Sequence, residues 1–596
     1  MSNCFQLENE RQSILDAKKY WRSYQVQPSH APAITPSFRV GLVGSFTLEG
    51  LVPLLGARLL EKGFLAPQIT VGQYHQIHQT CLNYRATFTE DINAILILWR
   101  IEDFWLDHLT HFYQGDLDAL TQTLVAVDEL VQTITHLRQE FQGTLIVSLP
   151  PVPLTAIVDV RSLAHLQQGG SFHRRVLEYW MTQIQKIPSI QWIDLDSLQH
   201  YYGILRLYDT RKWYLYRQPY REGFLLLLAE DLARLLAVQR GKGLKKCLVL
   251  DCDNTLWGGT IGEDGLAGIA LGEDFPGNAF RDFQRQLVML QQNGVFLALA
   301  SKNNEADVWE VFDQHDAMVL KREHLAAARI NWQPKIENLL SIAQELNILP
   351  ESLVFIDDSR FEIAQVQETS PEITCLQVPE DLASLPLLLQ KHHLFDQITV
   401  TSEDRERTIM VTQEKQRQSL KAALSTADFL TSLELKIEIF TVKREHLSRV
   451  TQLINKTNQF NLTTIRRTQE EVEMLIKSTD YLILALRASD RFGHYGLVGV
   501  TIIHKLAKIW SLDTFLLSCR ILGRQIETAL LATIVIIAQR HNVEFIHGYY
   551  QATLKNALVA DFFSEHGFTK IDSNQWEARL EAIKSCPNYI HCQLEI

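Results

Sequence analysis

The stretch LVLDCDNTLWGGTIGEDG, residues 248–265, ends an apolar run in two aspartates, Asp251 and Asp253. Residues two apart on an extended chain share a face, so both carboxylates can face one crevice. Like charges placed this way repel each other, and a divalent cation relieves the repulsion; hard oxygen ligands suit Mg²⁺. Asp251 can then attack phosphorus as a nucleophile and form an aspartyl-phosphate. Asp253 can protonate the leaving oxygen and afterwards activate water. The chemistry needs further parts, and the chain supplies them in order. Ser301, closing LALAS, offers a hydroxyl to phosphoryl oxygens, and Lys335 in NWQPKIEN offers a positive charge. Asp357 and Asp358 in LVFIDDSRFE offer more metal ligands, giving a set of Asp251, Asp253, Asp357 and Asp358. Thr255 and Asn303 are the accompanying phosphate-binding donors. The competing reading is that these acids only cap strands and helices, but clustered carboxylates without a metal would cost stability.

Such residues must be gathered at one sheet edge. CLVLD, VFLALAS and LVFIDD read as apolar strands with polar or acidic ends, separated by helical stretches such as FRDFQRQLVMLQQNG. They define an α/β unit over 241–395, and in open α/β sheets the site lies outside the carboxyl ends of the strands. The spacer between Asp251 and Ser301 is too short for a large cap domain, so the site should admit a bulky or carrier-borne substrate. Upstream, residues 1–32 read as a polar helical leader. Over 33–240, FRVGLVGS, APQITVGQY, AILILWRI and GTLIVSLP alternate with helical patterns, which implies a doubly wound parallel sheet. Residues 396–428 read as a charged helical connector. The pattern then changes over 429–596. LELKIEIF, YLILALRA, LVGVTIIHKLAKIWSLDTF and VEFIHGYY have strand character, and ILGRQIETALLATIVIIAQRHN is a long helix. The expected fold class is α/β multidomain: a doubly wound domain, a Rossmann-like core without a large cap, and an α+β domain.

An apolar fraction of 46% and a charged fraction of 21% fit a soluble globular chain of 596 residues, enough for about three or four domains. The net charge of −12 argues against a general nucleic-acid binder and leaves room for a local basic pocket. No signal peptide and no membrane-spanning run is expected, so the predicted location is cytoplasmic, with no nucleic-acid or membrane partner. The eight cysteines are scattered without a CxxC pair, which predicts a reduced protein and no disulfide framework. His75, His78 and Cys81 recur every three residues. Zinc sites usually draw on at least two segments, so a polar helix face is the expectation there.

The ordered set of DxDxT, Ser, Lys and DD resembles the haloacid dehalogenase-like (HAD) phosphatase superfamily. More narrowly, DCDNTLWGGTIGEDG, FIDDSRFE, INKTNQFNLTT, DRFGHYGLVGV and SCRILGR resemble the FkbH-like proteins over about 205–570. That resemblance implies recruitment of a three-carbon unit from 1,3-bisphosphoglycerate, loss of phosphate, and a glyceryl thioester on an enzyme cysteine. The unit then passes to the phosphopantetheine arm of an acyl carrier protein for polyketide-type biosynthesis. Because an acyl phosphate is already activated, a thiolate can attack it without ATP. Cys519 in SLDTFLLSCRILGR is the first choice for that cysteine, with Cys252 second; a buried packing cysteine is the alternative for Cys519.

The last domain resembles GNAT acyltransferases. Arg520-Ile-Leu-Gly523-Arg524-Gln525 stands where that superfamily grips a pyrophosphate at a helix N-terminus, with Gln525 departing from the usual Gly or Ala. Arg520, Gly523 and Arg524 would hold the phosphate of a carrier's arm. Asn455, Lys456, Asn458, Gln459 and Asn461 form a polar cluster that reads either as ligand-facing or as structural caps, and Asn458 is its candidate binding residue. Tyr549, Lys555 and Asn556 occupy the acyl-donor edge that the resemblance implies. The first domain resembles SGNH-type hydrolases, with Ser45 in the nucleophile's place. It lacks the preceding Asp and the late histidine (Asp209 and Gln218 stand nearby), so it reads as a non-catalytic module, with RLYDTRKWYLYRQPYR as a basic patch for an acidic carrier. Two other readings remain: a metal-dependent phosphatase acting on another small phosphorylated substrate, and a non-catalytic assembly protein.

Overall fold

The computed structural model describes residues 2–26, 37–89, 91–116, 118–152, 172–242, 245–396, 413, 414, 417, 420, 421, 424–553 and 555–595. Most of the expected connector, 396–428, and the end of the expected leader lie outside the described residues. The chain divides into two compact units, Met1–Lys242 with Thr468–Met474, and Gly243–Arg467 with Leu475–Ile596. The fold is a multidomain α/β fold, as the alternation of strand and helix patterns predicts.

The first unit begins with a helix, Ser2–Val26. Its sheet contains β1 (Arg39–Gly44), β2 (Gln68–Val71), β3 (Ala94–Leu98), β4 (Thr144–Leu149) and β5 (Ile190–Asp194). All neighbours are parallel, in the order β2-β1-β3-β4-β5. The run AILIL is buried at every position, as a strand covered on both faces must be. The helix Val52–Glu61 gives way to Gly63 at φ +74°, a left-handed conformation that glycine adopts without a side-chain clash. Ser45, just past β1, is buried. It donates to Asp103 Oδ2 at 2.7 Å and accepts from the Arg100 amide at 3.1 Å, while Arg100 pairs with Asp103. Its hydroxyl is therefore tied to a carboxylate, and no imidazole bonds to it among the described residues. The expected polar face at 75–81 is not formed. The helix there is only Ile77–Leu82, His75 lies outside it at φ +58°, and Cys81 is buried.

In the second unit, β6 (Cys247–Leu250), β7 (Phe296–Ser301), β8 (Leu325–Ile330), β9 (Leu353–Asp357) and β10 (Thr374–Gln377) form a parallel sheet in the order β10-β9-β6-β7-β8. β8 and β10 are additions to the three strands expected. The core strand β6 is fully buried, and β9 and β7 flank it, so the ends of all three point to one edge. The helices Ile261–Gly268 and Gly277–Gln292 account for the regular structure between β6 and β7, and no large inserted domain is present there.

The remaining sheet joins β11 (Lys436–Thr441), β12 (Phe460–Asn461), β13 (Tyr481–Asp490), β14 (Gly493–Lys505), β15 (Ile509–Leu517), β16 (Phe545–Tyr549), β17 (Thr569–Lys570), β18 (Gln575–Arg579) and β19 (His591–Glu595). Its path is β17-β18-β16-β15-β14-β13-β11-β19, with β12 on β15. The single strand expected from LVGVTIIHKLAKIWSLDTF is two antiparallel strands, β14 and β15. The long helix Ile526–Arg540 is buried along most of its length.

Arg417, from the connector segment, is buried and holds buried Asp490 through two hydrogen bonds of 2.7 and 2.8 Å. Removing Arg417 takes the compensating charge from buried Asp490, which keeps only the neutral donors of the Tyr495 hydroxyl and the Phe492 and Gly493 amides. Arg417→Ala should lower the unfolding free energy by about 3–5 kcal/mol in urea denaturation.

Candidate active site

Asp251 follows β6 directly, and its amide continues the ladder to the Ile356 carbonyl at 3.0 Å. Lys335, the first residue of the helix Lys335–Glu345, reaches into the same edge and is only 2% exposed. Its Nζ lies 2.7 Å from Asp251 Oδ1 and 3.1 Å from Asp357 Oδ2, and it donates to the Ala300 carbonyl at 2.6 Å. Burial works against its charge, yet the two carboxylates outweigh that and raise its pKa above the ordinary lysine value.

Asp357 ends β9 and is 1% exposed. Its Oδ1 accepts from the Ser359 amide at 2.8 Å, and its buried Oδ2 faces the Lys335 ammonium at 3.1 Å. Burial and the nearby Asp251 charge push the Asp357 carboxyl up to about 6. Burial and Asp251 likewise raise Asp358. One oxygen from each of Asp251, Asp357 and Asp358 lies within 4.8 Å of the others. Three acids against one ammonium leave the site short of positive charge. That excess of acids and three hard oxygen donors at one point fit a divalent cation of the Mg²⁺ type.

Asp253 is placed differently. Its Oδ1 accepts from the Trp257 indole at 2.9 Å and the Ile261 amide at 3.1 Å, and its Oδ2 accepts from Asn303 Nδ2 at 3.0 Å. The expected fourth carboxylate ligand is therefore corrected: three donors hold the Asp253 carboxylate outside the three-acid cluster. Asn303 also donates to buried Ser301 Oγ at 3.1 Å, so Ser301, Asn303 and Asp253 form one chain. Thr255 is buried, and its hydroxyl has no partner. Cys252 is buried, which pushes its thiol well above the ordinary range and removes it as a candidate thiolate. The indole of Trp257 is the element that the sequence reading missed. Its spacing of four from Asp253, across the turn after β6, is the signal that marks it.

Cys519 is elsewhere. It opens the short turn Cys519–Ile521 after β15, and its carbonyl accepts from Asn347 Nδ2 at 2.9 Å. It lines a cavity of about 270 Å³ together with Lys246, Ile348, Phe460, Tyr495 and Arg520. Lys246 precedes β6 and Ile348 precedes β9, so this cavity lies at the opposite edge of the β6–β10 sheet from the acids. Along β6 the separation is about 16 Å. The structure thus brings together Asp251, Lys335, Asp357 and Asp358, and does not bring Cys519 to them.

Arg524 is also corrected as a phosphate ligand. Its Nη2 is 2.9 Å from both Glu414 oxygens, and its Nη1 donates to the Arg520 carbonyl at 2.7 Å. Its guanidinium is engaged inside the fold. Gly523, at φ +74°, and Gln525, at φ +59°, shape the turn before the helix Ile526–Arg540. Arg520 donates from Nε to Ser518 Oγ at 3.2 Å and stays on the cavity wall.

The polar cluster divides between caps and lining. Asn455 bonds both polar groups of the Arg467 backbone's neighbourhood, donating to its carbonyl at 2.7 Å and accepting from its amide at 3.2 Å. Asn461 accepts from the Thr464 amide at 2.9 Å. Asn458 accepts from Arg466 and also lines the cavity, as do Lys456 and Gln459. Buried Asn556 donates to the Asn461 and Gln551 carbonyls at 2.9 Å each, Lys555 pairs with Glu351 at 2.5 Å, and Tyr549 ends β16.

The chain is similar in fold to the crystal structure of the N-terminal part of the protein BF1531 from Bacteroides fragilis, described as containing a phosphatase domain complexed with Mg. The identity is 23%, the match covers 65% of this chain and 99% of that one, and the TM-score is 0.55. An acetyltransferase of the GNAT family from Staphylococcus aureus Mu50 matches at 16% identity over 24% of this chain and 99% of its own, with a TM-score of 0.20. The ribosomal-protein-S18-alanine N-acetyltransferase from Escherichia coli matches at 10% identity over 26% and 97%, also with a TM-score of 0.20. Those two scores are too low to bear on the fold. No family model matches the chain, and no curated protein matches it.

The raised Asp357 carboxyl has a consequence for stability. Its folded-state value of about 6 exceeds the usual value of about 3.9, so the folded chain holds this proton more tightly than the unfolded one. Its contribution is therefore present at low pH and declines as pH rises from about 4 to 6. In urea denaturation without metal, wild type should lose more stability between pH 4 and 7 than Asp357→Asn does. Saturating Mg²⁺ should remove that difference at pH 7.

Proposed function

We propose that the chain is a Mg²⁺-dependent phosphatase that also transfers a glyceryl unit. The observation that carries the phosphatase reading is the ammonium of Lys335 buried between Asp251 and Asp357, beside a cluster of three carboxylates. Lys335 holds Asp251 Oδ1, which leaves the other carboxylate oxygen to attack the phosphorus of a phosphate monoester. Asp253, oriented by Trp257 and Asn303, gives a proton to the departing oxygen and later takes one from the water that cleaves the aspartyl-phosphate. Ser301, Asn303 and Thr255 supply donors for phosphoryl oxygens. Asp251, Asp357 and Asp358 would hold the metal, which would shield the phosphoryl charge from the carboxylates. The likeness in fold to a phosphatase domain complexed with Mg supports this reading.

The fuller reading, consistent with the FkbH-like resemblance, takes 1,3-bisphosphoglycerate as the substrate. The Cys519 thiolate attacks the acyl phosphate carbonyl and expels the 1-phosphate, the remaining 3-phosphate monoester is hydrolysed to inorganic phosphate at the Asp251 site, and the glyceryl thioester passes to the phosphopantetheine thiol of an acyl carrier protein. The cavity beside Cys519 is walled by Lys246, Arg417, Arg449, Lys456 and Arg520 against Glu345 and Glu414, an excess of cations that supports a tethered anionic arm. The first unit, with Ser45 tied to Asp103, fits a non-catalytic docking role. No helix among the described residues is long and apolar enough to cross a membrane, and a cytoplasmic location is part of this proposal. A second reading, a phosphatase for another small phosphorylated substrate with the cavity serving a separate reaction, is favoured by the distance between the two sites. The three clustered carboxylates weigh against a purely structural assembly protein, for which their repulsion would only cost stability.

Incubation with 1,3-bisphosphoglycerate, Mg²⁺ and a holo carrier, followed by intact-mass measurement, tests the proposal. A glyceryl adduct on the carrier is expected, and phosphate release without an adduct would support the second reading. Asp251→Asn should reduce phosphate release by about a thousandfold or more while leaving the fold intact by circular dichroism. Cys519→Ser should abolish the covalent glyceryl-enzyme adduct in mass spectra and leave hydrolysis of a phosphate monoester unchanged.

A further inference from the structure

Outside both sites, Cys586 and Cys592 face each other with their sulfurs 3.2 Å apart. Cys592 lies on β19, the terminal strand of its sheet, and is exposed; Cys586 is half-buried in the loop that leads to that strand. Between them, the Tyr589 hydroxyl donates to the Arg524 carbonyl at 3.4 Å, in the turn that follows Cys519. Arg524 in turn grips the Arg520 carbonyl at 2.7 Å, and Arg520 and Cys519 line the cavity. A continuous set of contacts therefore runs from the thiol pair to the wall of the cavity.

We propose that Cys586 and Cys592 are a reversible modification site, closing to a disulfide that locks Tyr589 against the turn bearing Cys519 and Arg524. The sulfurs need only a small approach to reach bonding distance, and the exposed member can meet an oxidant first. The oxidant is a low-molecular-weight disulfide. The Cys592 thiolate attacks one of its sulfurs and expels one thiol. The Cys586 thiolate then attacks the Cys592 sulfur of the mixed disulfide and expels the second. The protein loses two electrons and two protons, which the small disulfide gains as two thiols. Exchange proceeds through thiolates, so it should quicken toward pH 9. Ring closure over 586–592 restricts the loop that carries Tyr589 and so tightens the turn beneath it.

The protein of 596 residues is treated with excess oxidised glutathione at pH 9, alkylated without reductant, and digested with trypsin. The peptide beginning at Ser585 should be lighter by two hydrogens and should take two alkyl groups only after reduction. A persistent glutathione adduct on Cys592, or two alkylated cysteines before reduction, would overturn the proposal. Amide exchange over 519–525 should slow by about fivefold in the bridged protein and stay unchanged in Cys592→Ser treated identically. A bridged wild type with unaltered exchange there would refute the locking.

Discussion

One buried ammonium fixes the edge of the sheet on which the chemistry depends. Lys335 touches the residue after β6, the Ala300 carbonyl near the end of β7 and the last residue of β9, so three strand ends are tied to one charge. A buried lysine is tolerated only where its partners repay its lost hydration, and Asp251 and Asp357 do so. The same arrangement leaves the acids in excess. Asp357 and Asp358 are both raised by burial and by Asp251, which is what a site lacking one positive charge should show. The proton and the divalent cation are alternative answers to the same repulsion.

The second feature is a separation. The acids stand at one edge of the β6–β10 sheet and the cavity beside Cys519 at the other, joined by contacts such as Asn347 to the Cys519 carbonyl. A substrate that visits both must travel, and a tethered arm is one physical means of doing so. Asn347 takes a left-handed backbone, φ +50°, to place its amide there, so the cavity wall depends on both sheets of this unit.

The strands that carry the site were legible because CLVL, FLALAS and LVFID are continuous apolar runs that close on a polar residue. LAAARI of β8 was not, since alanine favours helix over strand, and TCLQ of β10 is short and half-buried. The order of Asp251, Ser301, Lys335 and Asp357 was readable, but the direction of the Asp253 carboxylate was not, because it depends on the Ile261 amide beyond a turn and on Asn303 from another strand end. Arg524 illustrates the general difficulty: its partner Glu414 lies 110 residues away, and no local pattern announces the pair. The facing of Cys586 and Cys592 likewise needs the return of the chain into β19.

A divalent cation completing the cluster that Lys335 organises is the central requirement of the chemistry. The most direct test is a crystal soaked in Mn²⁺ as a stand-in for Mg²⁺ and measured for anomalous scattering. A single strong peak within coordination distance of Asp251, Asp357 and Asp358 is the predicted result. An ordered ion bound elsewhere, with those three carboxylates unchanged and unliganded, would contradict it.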